Sequence, residues 1–243
     1  MLFRSIQSSS VRTTGAVTYT GAASLGGNIT TLTSGAFHVT GAVTLTGAVS
    51  IDTSAGNQNI TFDSTVDGAQ NLSVVAGTGD VTFTGAVGGT RLALFTITSA
   101  HDVTASAGIS AAQIIQTAGS GTSTFGALNT NSASGISLTG SAFAFGTVTT
   151  TGTGVFTLVN SGAASFAGAL SLDGVFAQSG GGAVSLGANI TTTGDVIHFT
   201  NAVTLTSGVT LTSANGNITF DSTLNGAFAL TVSDRKSTRL NSS

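Results

Sequence analysis

The chain has 243 residues, of which 6 are Lys or Arg and 9 are Asp, with no Glu, Pro, Cys or Trp and a formal net charge of −3. Forty per cent of the residues are apolar and mean hydropathy is positive, which excludes a disordered chain, because disorder goes with low hydrophobicity. The basic residues are too few and too scattered to bind nucleic acid by displacing its counterions, and no apolar run approaches the roughly 18 residues of a membrane-spanning helix.

Taken in order, the elements share one grammar: a turn of Gly, Ala or Asn, then alternating apolar and Thr or Ser residues. It appears first at Gly15-Ala16-Val17-Thr18-Tyr19-Thr20 and again across Gly41–Asp52, where Val43 and Leu45 share one face and Thr44 and Thr46 the other. Alternation of this kind places apolar side chains on one side of a strand. Asp80-Val81-Thr82-Phe83-Thr84, Ile136-Ser137-Leu138-Thr139, Ala183-Val184-Ser185-Leu186 and Val209-Thr210-Leu211-Thr212 repeat it. Gly108–Ala118 has some helical propensity around Ala111-Ala112-Gln113, but Gly and Thr bound Ile114-Ile115 closely, so a strand or corner is expected. Between these segments Asn215-Gly216-Asn217 and Gly77-Thr78-Gly79-Asp80 supply turns.

A longer echo overlies this pattern. Asn28-Ile29-Thr30-Thr31 returns as Asn189-Ile190-Thr191-Thr192, His38-Val39-Thr40 as His198-Phe199-Thr200, and Asn59-Ile60-Thr61-Phe62-Asp63-Ser64-Thr65 as Asn217–Thr223. The offset drifts only from 161 to 158 residues, so a block (27–74 and 187–233) is copied with small turn deletions. Equivalent strands recur at about 20 residues, as from Val17 to Phe37, from Val39 to Ile60 to Val81, and from Val184 to Val203. Two or three strands per interval, each interval one coil, predict an all-β parallel β-solenoid. Roughly 20 residues per coil gives about 11 coils and a column about 50 Å long, and right-handed winding is expected because parallel crossovers are overwhelmingly right-handed. A membrane β-barrel would need aromatic girdles, which one Tyr and no Trp do not supply. A sandwich array is disfavoured by the absence of Pro and of a Cys–Trp–Cys core.

Both ends break the pattern. Asp234–Ser243 resembles the translation of a common sequencing-library adapter, and Met1–Ser5 resembles the translation of the complementary strand of the same oligonucleotide. Residues 1–5 and 234–243 are therefore expected to be adapter-derived, the latter disordered, and 6–233 a single solenoid segment of a longer chain. Within 6–233 only Arg12 and Arg91 face eight Asp, a net charge near −6.

The run Gly56–Val74, followed by Gly79–Thr90, resembles the β-strand repeats of very large bacterial surface proteins of the filamentous-haemagglutinin type. That resemblance implies a secreted β-helical shaft, with the secretion module and any receptor-binding tip lying elsewhere. The expected function is a structural shaft segment of a secreted, cell-surface adhesin-like protein, extracellular and without catalysis. The expected partners are flanking repeats of the same parent chain, and host or surface glycans or proteins reached through other parts of it. Neither nucleic acid nor membrane insertion is expected. Alternatives are a solenoid that binds glycan or ice along a lateral face and, third, a fragment of a β-helical polysaccharide-degrading enzyme.

Candidate chemistry is sparse. His38 and His198 occupy the same place in the two copies, which points to a feature of the repeat. His101-Asp102 forms a conceivable dyad without a recognisable nucleophile context. Gly77-Thr78-Gly79-Asp80 and Gly194-Asp195 faintly match calcium nonapeptides, but those sites need a tandem run, so Asp80 and Asp195 are read as turn formers. The Asp residues as a set are expected to sit apart at turns. Thr-x-Thr units at Thr44, Thr82, Thr204 and Thr210 raise an ice-binding ladder, yet irregular spacing is expected to keep Thr columns from aligning. No residue is assigned to catalysis, to a cofactor or to a metal.

Overall fold

The computed structural model describes residues 10–234 and the backbone of 2–3 and 7–8. It is a parallel β-solenoid of about 11 turns of roughly 21 residues. Each turn has three strand positions, which we name faces A, B and C in chain order. Face A begins with Val17–Tyr19, Phe37–Val39 and Ile60–Phe62. Face B begins with Ala23–Leu25 and Val43–Leu45, and face C with Ile29–Thr31 and Val49–Asp52. Most strands have three residues, the outer two buried and the middle one turned outward, because a three-residue strand between corners holds one full period of side-chain alternation. Four longer strands run around a corner. Val87–Ser99 and Ile109–Gln116 serve faces B and C, while Thr122–Thr130 and Ala142–Thr150 serve faces A and B. Gly108–Ala118 is thus strand, as expected, and the only helical element among the described residues is a single 3-10 turn at Ser54–Gly56.

Every pairing among the described strands is parallel, and each joins neighbouring coils. This rules out the barrel and the antiparallel sandwich. On face A the leading residues Val17, Phe37, Ile60, Val81, Val103, Ser123, Phe143, Ala164, Val184, Val203 and Leu224 are successive partners, 19 to 23 residues apart. The expected matches of Val17 with Phe37, Ile60 with Val81 and Val184 with Val203 hold. The match of Val39 with Ile60 is two residues out: Ile60 pairs with Phe37, and Val39 with Phe62. The error is a whole strand period, so it kept both residues inward.

The core is one continuous column. Ile60, Phe62, Val66, Leu72 and Val74, the inward residues of the third coil, are all 0–1 % exposed. Rings stack from coil to coil: Phe62 lies 5.4 Å from Phe37 and 4.8 Å from Phe83, the latter pair 8° from parallel. A second run goes Phe145, Phe166, Phe176, Phe199, Phe220, with centroid separations of 4.9 to 5.8 Å; its step from Phe166 to Phe176 crosses within one coil, edge to face at 72°. Corners are closed by buried hydroxyls that bond the loop they enclose. Thr150 Oγ1 donates to the Gly154 carbonyl, and Thr192 Oγ1 to that of Asp195, each at 2.6 Å. At the equivalent corner Ser213 Oγ accepts from the Gly216 N–H at 2.8 Å. These bonds satisfy main-chain groups that a dry corner would otherwise strand.

The duplicated block does not return to the same face. His38 lies on face A of the second coil, and His198 on face C of the ninth. Val43–Leu45 lies on face B, while its copy Val203–Leu205 lies on face A. The copy is therefore rotated by one face about the column, and its inward pattern fits because all three faces obey the same alternation.

Of the expected end segments, Leu2–Phe3 pairs with Thr18 and Tyr19, and Asp234 is the last residue of the strand Leu230–Asp234, opposite Ser213. The expected boundary at 234 thus falls one residue inside a strand. The other end residues, and the disorder expected of 235–243, lie outside the described residues.

Candidate functional site

Among the described residues the arrays with a recurring chemistry lie on the lateral surface, and the first is a column of hydroxyls. The outward residues of face A are Thr18, His38, Thr61, Thr82, Thr104, Thr124, Ala144, Ser165, Ser185, Thr204 and Asn225, each paired in register with the next. This corrects the expectation that irregular spacing keeps Thr columns from aligning. Coil length varies, but the variation is taken up in turns such as Thr53–Asn59, so the strands stay in step. The column is interrupted by His38 and Ala144 and ends on Asn225, and it stands singly, since each three-residue strand turns only its middle side chain outward.

The second array is a set of histidine–aspartate pairs that bridge coils. His38 Nε2 lies 2.7 Å from Asp63 Oδ2, and His198 Nε2 lies 2.7 Å from Asp221 Oδ2. The repeated histidine therefore comes with a repeated partner, which the sequence reading had not paired. All four side chains are about 36 to 52 % exposed, a setting in which ion pairs contribute little to stability.

The third is a cluster at the corner between faces C and A. Asp80, His101 and Asp102 bring one ligand atom each to within 4.8 Å of one another. His101 Nδ1 is 3.3 Å from Asp80 Oδ1 and 3.5 Å from Asp102 Oδ2. The expectation that the Asp sit apart fails here, because residues 22 apart in the chain are neighbours when one coil is about that long. Their carboxylates have a structural occupation. Asn59 Oδ1 accepts the Asp80 N–H, Asp80 Oδ1 accepts the Asp102 N–H, and Asp102 Oδ1 accepts the Thr122 N–H, at 2.9, 3.1 and 2.7 Å. Asp80 is thus a main-chain cap, as expected, but for the following coil; Asp195 instead takes part through its carbonyl. Among the described residues no hydroxyl hydrogen-bonds the His101 ring.

Asp173 is a fourth such clip. It accepts the Thr153 N–H at 2.8 Å and the Thr193 hydroxyl at 3.0 Å, and these bonds hold its carboxyl below the usual carboxylate range. Among the grooves in the described surface are two of moderate size. One, about 300 Å³, is lined by Thr117, Gly119, Thr139, Gly140, Val159 and Ser161, among others; the other, about 210 Å³, lies beside Gly88, Gly108 and Asn129. Neither is lined by a titratable side chain. Arg91 holds Asn129, which lines the second groove, donating to its carbonyl and its Oδ1 as well as to the Ala111 carbonyl. No helix among the described residues is long and apolar enough to cross a membrane.

No protein-family model matches the chain, and searches among curated proteins and solved structures likewise find no match. Function is therefore argued from the geometry above.

Proposed function

We propose that this chain is a shaft segment of a secreted, cell-surface adhesin-like protein: a spacer that holds another module away from the cell and carries out no reaction itself. The observation that supports it best is the one-face rotation of the duplicated block. A lateral strip that bound a ligand would be useful only if its copies faced the same way. Here the histidine–aspartate unit lies on face A in one copy and on face C in the other, while the inward apolar pattern is kept throughout. What the duplication preserves is the ability to stack. The polar, weakly charged faces agree with a passive column, although fold alone does not assign a role.

The test is to read the uninterrupted coding sequence on both sides of this segment in its source DNA. An export signal and a secretion module in frame with further repeats are expected; a hydrolase or lyase module in frame would overturn the proposal.

One observation favours a second reading, a lateral-face binder of a regular lattice such as ice or a glycan: the aligned hydroxyl column of face A. That column is one residue wide and broken at two places, whereas a lattice-binding face needs breadth. Thermal-hysteresis and glycan-array measurements on the chain separate the two readings. The shaft predicts neither activity, and either one, if abolished by Thr82→Lys and Thr104→Lys, would establish the binder.

A further inference from the structure

The last coil of the described chain is a copy of an internal one, so the structure contains its own answer to what covers it. Residues 217–233 repeat 59–75: Ile218, Phe220, Leu224, Leu230 and Val232 correspond to Ile60, Phe62, Val66, Leu72 and Val74. The correspondence extends to the backbone, since Gly68 and Gly226 have φ of 121° and 124° and lie against the carbonyls of Leu45 and Leu205, themselves repeat partners. In the internal copy the five apolar side chains are 0–1 % exposed. They are covered by the next coil, in which Val81 pairs with Ile60, Phe83 with Phe62, Val87 with Val66, Phe95 with Leu72 and Ile97 with Val74. Main-chain bonds run between them, from Ile60 N–H to the Asp80 carbonyl and from Thr84 N–H to that of Phe62, each at 2.9 Å. In the terminal copy Leu224 is 37 % and Val232 52 % exposed, and Phe228, which stands where the internal copy has Gln70, is 51 % exposed. Among the described residues no strand pairs with the outer edge of Ile218–Phe220, of Leu224–Asn225 or of residues 230–233.

The geometry points to residues 218–233 as a docking surface for one specific kind of partner: a parallel β-solenoid coil with the inward pattern of Val81–Ile97, continuing the column in register. This deepens the shaft reading and rests on it only for its biological sense, since the stacking can be measured by itself. The test replaces residues 234–243 of the chain with a second copy of residues 76–99, which restores after Ser233 the sequence that follows Val75. Hydrogen exchange of 218–233, followed by mass spectrometry, is expected to slow at least about tenfold as the edge amides become paired, with loss of binding of a hydrophobic dye. A control extension carries Phe83→Asp and Phe95→Asp in the appended copy and is expected to give neither effect. Equal protection by both extensions, or by neither, overturns the inference. So does finding 218–233 already protected in the unextended chain together with a doubled sedimenting mass, which would assign the surface to a second copy of the chain. The graft reads stacking and the flanking sequence reads display, so either can fail without the other.

Discussion

The repeat offers a controlled comparison of one side chain in two settings. Phe62 and Phe220 are equivalent residues, but Phe62 lies between Phe37 and Phe83, whereas Phe220 has a ring neighbour on one side only, Phe199 at 5.2 Å. Phe62 is 1 % exposed and Phe220 only partly buried. Truncating a fully buried Phe to Ala costs about 3–5 kcal/mol, and each aromatic neighbour accounts for about 0.5–1.5 kcal/mol of such a loss. Phe62→Ala is therefore expected to destabilise its coil by about 4 kcal/mol. Phe220→Ala loses one ring contact and less buried area, and is expected to cost about 1–2 kcal/mol. Because stacked repeats interact mainly with nearest neighbours, the first loss is expected to be local. Urea titration followed by circular dichroism, combined with native-state hydrogen exchange, reads both size and place. Opening at 37–39 and 81–83 should become easier in Phe62→Ala while 184–186 is unchanged. Equal costs for the two substitutions within about 0.5 kcal/mol, or a loss spread evenly along the chain, would refute the reasoning.

Three further outcomes follow. Thr150→Val removes the hydroxyl that bonds the Gly154 carbonyl inside a dry corner, and is expected to cost about 1–3 kcal/mol in a urea titration, against near neutrality for Thr157→Val on the outward side of a strand. Gly68→Ala places a methyl group 2.4 Å from the Leu45 carbonyl oxygen at a φ of 121°; a cost of at least about 2 kcal/mol is expected, measured as a fall in melting temperature. Asp173 has a folded pKa below its unfolded value, so the stability it lends is present above the unfolded pKa and disappears as pH falls through the folded one. Asp173→Asn should therefore destabilise the protein at neutral pH and make the acid limb of its stability curve shallower, which urea midpoints measured between pH 7 and pH 2.5 will show.

Much of this fold was legible in the residues. Val17-Thr18-Tyr19 and Ile60-Thr61-Phe62 announce two-faced strands, and the interval between them announces stacking. What local pattern could not supply was register. Nothing near Val39 says whether Ile60 or Phe62 lies above it, because a shift of two residues leaves every side chain on its proper side. The same gap hid the hydroxyl column, since aligning Thr61, Thr82, Thr104 and Thr124 requires knowing which turn residues bulge away from the column. Asp80 and Asp102 look like unrelated turn residues until one coil is known to be about as long as their separation. The rotation of the duplicated block was hidden for a related reason: the long strands Val87–Ser99 and Thr122–Thr130 each do the work of two, so counting strands along the chain does not count faces. The histidine–aspartate pairs were the accessible miss, since Asp63 and Asp221 recur with His38 and His198 at 25 and 23 residues, close to one coil.

The central claim is that successive coils rise in register along a single axis. The chain has no cysteine, so spin labels can be placed by substitution on the outward column of face A without removing a native thiol. Thr61 and Ser165 are five coils apart, and Thr61 and Thr204 seven. At about 4.8 Å per coil, double electron–electron resonance is expected to give about 24 Å for Thr61→Cys with Ser165→Cys and about 34 Å for Thr61→Cys with Thr204→Cys, before allowance for the label linkers. A Thr61–Thr204 separation equal to or shorter than Thr61–Ser165 would mean that the chain folds back on itself, and would contradict the column.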